Sequence, residues 1–85
     1  MIENKVLITV NVPSLEKKYD MYIPVNRKVH NVLDMMKKAL FELSTGSFVT
    51  AHSYALYNAE TGSAYDMNVL VRDTDIRNNS KVILL

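Results

Sequence analysis

The chain has 85 residues, 48% of them hydrophobic and 22% charged, which suits a single domain over residues 1–85 and leaves no room for a second. Ten Lys and Arg against nine Asp and Glu give a net charge of +1, too little positive field to hold a phosphate backbone, so nucleic acid is not an expected partner. Cysteine is absent, which removes disulfides, thiolate nucleophiles and cysteine-ligated zinc. The apolar runs fall far short of the ~20 residues that span a bilayer. Met1-Ile2-Glu3-Asn4-Lys5 has no apolar core of a secretory signal, so a cytoplasmic protein without direct membrane insertion is expected.

In chain order, Lys5 to Val12 alternates, with Val6, Ile8, Val10 and Val12 on one side and Leu7, Thr9 and Asn11 on the other. Period two with β-branched residues predicts a half-buried strand. Pro13 and Ser14 interrupt it, Glu16-Lys17-Lys18 reads as a polar turn, and alternation resumes through Tyr19, Met21, Ile23 and Val25. These two strands form a hairpin, and Pro24 predicts that the second lies at a sheet edge. The period then changes: Val29, Val32, Leu33, Met36, Leu40 and Leu43 make one helical stripe. The start, at Lys28 or Asn31, lacks a strong capping residue, and Gly46 can end the helix in a left-handed conformation.

Beyond residues 46–53, whose path is undecided, Tyr54 to Tyr57 reads as a strand and Asn58 to Gly62 as a turn. Ser63-Ala64-Tyr65 is a candidate short return strand, Asn78-Asn79-Ser80 a second turn, and Lys81 to Leu85 a final apolar strand. The order is that of a β-grasp: an α+β domain with a mixed four- or five-stranded sheet and one helix packed across it.

No residue pattern points to catalysis, a cofactor or a metal. His30 and His52 stand alone, without a His-x3-His or Glu-x-x-His pair. Asp73 and Asp75 flank Thr74 as hydrogen-bonding turn residues do. No serine sits in Gly-x-Ser-x-Gly, and no glycine-rich phosphate loop occurs. Arg27, Lys28, Lys37 and Lys38, interspersed with Asp34 and Glu42, read as a solvated helix face, and Met35 and Met36 as core filling.

The run Val25-Asn26-Arg27-Lys28-Val29-His30-Asn31-Val32 leading into the helix, and the closing pattern Leu70-x5-Ile76-x5-Val82-x-Leu84, resemble ubiquitin-like domains. Within that superfamily the chain is most similar, from Lys5 to Leu85, to the small bacterial YukD/EsaB proteins of WXG100 (type VII-like) secretion in Gram-positive bacteria. Those proteins commonly carry Gly-Asp in the final turn, where this chain has Asn79-Ser80. The resemblance implies that Leu70 and Ile76 plug the end of the core and that the final strand runs through the sheet centre. It also implies a non-enzymatic, cytosolic interaction module serving a secretion component. Conjugating and sulfur-carrying relatives need a flexible Gly-Gly tail; Lys81-Val82-Ile83-Leu84-Leu85 has none, so a sulfur-carrier role is the weaker alternative.

If Val6, Ile8, Val10, Met21, Ile23, Leu56, Val82 and Leu84 face the helix, their neighbours face out. Leu7, Tyr57, Ile83 and Leu85, extended by Tyr22, then form an exposed apolar patch on the outer sheet face, the expected protein-binding site. Docking through the hairpin edge, and self-association of the patch into a homo-oligomer, are the alternatives.

Overall fold

The computed structural model describes residues 4–85; Met1 to Glu3, on which the N-terminal reading rests, lie outside the described residues. Strand β1 (Lys5–Val12) and strand β2 (Lys17–Pro24) form the expected hairpin, in antiparallel register from Lys5 opposite Pro24 to Val12 opposite Lys17. Lys17 and Lys18 are strand, not turn. A 3-10 turn at Pro13–Leu15 and a left-handed Glu16 (φ 53°), whose N–H donates to the Pro13 carbonyl, reverse the chain before them. Helix α1 (Val29–Leu43) follows, then β3 (Leu56–Asn58) and β4 (Lys81–Leu84).

The sheet order is β2-β1-β4-β3. β4 runs parallel to β1, with Val10 beside Val82, and antiparallel to β3, with Leu56 beside Leu84. The four strands and the helix laid across them are the β-grasp arrangement, with β4 inside the sheet and β2 at its edge as Pro24 required. Ser63 to Tyr65 contributes a single bridge, Ala64 to Tyr57, in place of a fifth strand.

Alternate residues of three strands, Ile8, Val10, Val12, Met21, Ile23, Val82 and Leu84, pack against Val29, Val32, Leu33, Met36 and Leu40 of the helix. Leu43 is in line with this stripe by angle, yet 57% exposed. It lies a turn beyond the last buried helical residue, beside β2, the edge strand of the sheet among the described residues. Met35, expected in the core, faces solvent at 50% exposure, and Met36 alone fills the interior.

Two plugs differ from expectation. The residue that seals one end beside Ile76 is Val71, one position after Leu70, because the backbone of Leu70 bridges Lys28 and its side chain stays half-buried. Phe48, in the undecided 46–53 segment, is 1% exposed. Its N–H donates to Ser44 Oγ, and its ring stacks on Tyr54 at 4.9 Å, with the Tyr54 hydroxyl donating to the Val49 carbonyl. Thr45 and Gly46 both take positive φ to turn the chain toward it, and the Gly46 N–H reaches back to the Phe41 carbonyl.

The missing capping residue is replaced by tertiary contacts. The first two helical N–H groups, of Val29 and His30, donate to the carbonyls of Val69 and Met67 at 2.9 and 3.0 Å. Phe48→Ala is expected to cost about 3–5 kcal/mol and lower the melting temperature by more than ~10 °C. Leu43→Ala should stay within ~0.5 kcal/mol of the parent. Thermal denaturation followed by circular dichroism measures both.

Candidate protein-docking surface

β-sheet alternation puts the five sequence-selected residues on the side of the sheet away from the helix. Tyr22 and Leu85 are exposed, and Leu7, Tyr57 and Ile83 are half-buried. The register resolves them into two islands. Tyr57 and Ile83 are direct cross-strand partners, and Leu85 lies beside Ala55, with which it exchanges both backbone hydrogen bonds. Leu7 and Tyr22 are likewise partners, on the other half of the sheet.

Between the islands lies a polar row, Asp20, Thr9 and Lys81, each directly opposite the next. The Thr9 hydroxyl donates to Asp20 Oδ1 at 2.9 Å. Leu7 stands four residues along the sheet from the level of Ile83, about 13 Å at strand rise. Continuity of an apolar face depends on register as well as on alternation, and the β1–β4 register was not written in either strand. It is set by Asn78, whose side-chain oxygen accepts from the Leu7 N–H at 2.9 Å, and by Asn79, whose N–H donates to the Leu7 carbonyl. Asn79 adopts φ 70°, a conformation that glycine takes freely and asparagine tolerates better than other side chains.

Elsewhere the polar residues serve the fold. The Thr74 hydroxyl donates to the Val71 carbonyl and accepts from the Ile76 N–H. Asp75 receives the Tyr65 hydroxyl at 2.7 Å and the Asn58 side-chain amide at 3.0 Å, which ties the β3 turn to the loop before β4. Lys37 lies 6.0 Å from the Tyr54 ring centroid, a cation–π contact within the helical face expected to be solvated. His52 meets the same tyrosine edge-on. Among the described residues there is no group of three or more histidines and carboxylates able to hold a metal ion. No helix there is long and apolar enough to cross a membrane. The exposed apolar residues that alternation did not select are Met35, Phe41, Leu43 and Val49. Met35, Phe41 and Leu43 are helical, and the stripe assigned Leu43 to the core; Val49 lies in the loop after the helix.

Burial, the hydrogen bond to Asp75 and the charge of that carboxylate all raise the Tyr65 phenol above its usual pKa. The unfolded chain, ionising near pH 10, loses this proton first. The stabilisation is complete at neutral pH and declines as pH rises through 10 and beyond. Urea unfolding between pH 8 and 11 should show Tyr65→Phe losing stability less steeply than the parent above pH 10.

No protein-family model matches the chain, and no curated relative matches it by sequence. Solved structures do. The chain superposes on the ubiquitin-like domain of the Mycobacterium tuberculosis type VII secretion system protein ECCD1 with a TM-score of 0.74 at 13% identity, covering 95% of this chain and 97% of that one. A chain of the MycP5-free ESX-5 inner membrane complex gives 0.69 at 15% identity, over 96% of this chain and 21% of that one. A chain of the toluene 4-monooxygenase HD complex gives 0.70 at 4% identity, over 94% and 95%. At these identities the likeness is one of fold, and the fold is a ubiquitin-like β-grasp.

Proposed function

We propose that the chain is a non-enzymatic interaction module, a YukD/EsaB-like accessory of a WXG100 (type VII-like) secretion system that acts in the cytoplasm by non-covalent docking. The observation that carries this reading is near end-to-end similarity to the ubiquitin-like domain of a type VII secretion protein, joined by similarity to part of a chain in an ESX-5 inner membrane complex. A fold alone names no activity. Here the reading also draws on the surface: on the outer sheet face Leu85 is exposed and Tyr57 and Ile83 are half-buried, with Leu7 and Tyr22 beyond the polar row. Apolar groups that a small protein leaves exposed in clusters serve as contact surfaces. In this reading the partner is a protein component of the secretion apparatus.

Deleting the chain from its native host should abolish export of WXG100 proteins, and the parent sequence should restore it. A Tyr57→Ser/Ile83→Ser double variant that retains its circular dichroism spectrum should fail to restore it. Undiminished export in the deletion strain would contradict the proposal.

A further inference from the structure

Three of the four described methionines, Met21, Met35 and Met36, line one groove of about 280 Å³ between β2 and α1. The groove opens at the sheet edge, where the antiparallel register turns the N–H groups of Lys18, Asp20 and Tyr22 away from β1. The three thioethers are graded in their access to water. Met36 is 2% exposed, Met21 9% and Met35 50%. The fourth methionine, Met67, is half-buried against the core.

Helix geometry accounts for the grading. Met36 shares the buried stripe with Val32 and Leu40, and Met35 stands about 100° round the helix from it. A helical side chain leans toward the N-terminus and covers the turn before its own Cα. The residue one turn on that would shelter Met35 is Ala39, whose methyl group covers little. Lys38, also one turn on, and Asn31, one turn back, are both exposed. Leucine matches methionine as a helix former, and Leu43 fills the corresponding place two turns on in the same groove. What methionine adds at residue 35 is a sulfur atom that takes up oxygen.

We propose that Met35 is a reversible oxidation site. A peroxide converts its thioether to the sulfoxide on the folded protein, Met21 and Met36 stay reduced, and one wall of the groove changes from apolar to polar. With hydrogen peroxide, a sulfur lone pair attacks one oxygen, the O–O bond breaks as the S–O bond forms, and the second oxygen leaves as water with the proton of the first. Sulfur is oxidised by two electrons and the peroxide is reduced by two. A dithiol reductase reverses the change, taking the oxygen off as water and becoming a disulfide. At Met35 the sulfoxide oxygen faces water, so the fold tolerates it. At Met21 or Met36 the same oxygen would lie in the core without a partner. The site is separate from the sheet-face island of Tyr57, Ile83 and Leu85 and does not depend on the secretion reading.

The test treats the folded protein with dilute hydrogen peroxide and follows oxygen uptake at each methionine by peptide mapping and mass spectrometry. Met35 should oxidise at least about tenfold faster than Met21 and Met36, whose exposure requires opening of the fold. The circular dichroism spectrum should be unchanged after uptake at Met35, and the melting temperature lowered by no more than ~3 °C. In denaturing urea the three rates should converge. Met35→Leu should remove the fast uptake in this groove and leave the rates at Met21 and Met36 as they were. Methionine sulfoxide reductases of both stereospecificities, added under native conditions, should return Met35 to the thioether. The proposal is overturned if Met21 or Met36 oxidises as fast as Met35 in the native protein, if uptake at Met35 unfolds the chain, or if the reductases fail to restore it.

Discussion

The last strand holds the molecule together. β4 lies between β1 and β3, with Val82 and Leu84 buried against the helix layer. Its pairing with β1 is parallel, so the chain between them must cross over the sheet, and α1 is the element that makes the crossing. Residues more than seventy positions apart, Leu7 and Asn78–Asn79, fix the register. Everything between β2 and β4 is ordered around that closure. The segment Met67–Arg72 caps the start of α1 and bonds to Val25 and Arg27, and Phe48 and Val71 fill space that the helix and the strands leave.

The same closure decides what is left open. With β1 and β4 interior, one edge of the sheet belongs to β2, and the helix crosses without reaching past it. Among the described residues the outer face has no second layer, so apolar residues on alternate positions of β1, β3 and β4 meet solvent there, divided by the Asp20–Thr9–Lys81 row. A two-layer domain covers one face of its sheet. The bare face and the bare edge are therefore consequences of the fold, and the side chains placed on them give each its chemistry.

Much of this was legible in the sequence. Period-two alternation gave β1 to the residue, the 3.6-residue stripe gave α1 and where it ends, and Pro24 marked the edge strand. What escaped was non-local. A helix start without a capping side chain reads as ambiguous because its partners, the carbonyls of Met67 and Val69, lie far along the chain. Phe48 carries no periodic signal, since it is a single plug in a loop. Leu43 shares the stripe's angle but not its cover, because angle says nothing of where the sheet ends. Side alternation selected the outward residues of the candidate surface, yet their division into two islands follows from a register that asparagine side chains and backbone groups set.

Amide hydrogen exchange, read residue by residue, tests the central place of β4 most directly. The account predicts that Val82, Ile83 and Leu84 exchange as slowly as the slowest amides of the protein, through global unfolding alone. The Lys18, Asp20 and Tyr22 amides, in the same sheet but on its bare edge, should exchange orders of magnitude faster. Exchange at Val82 to Leu84 as fast as at those three edge amides would contradict it.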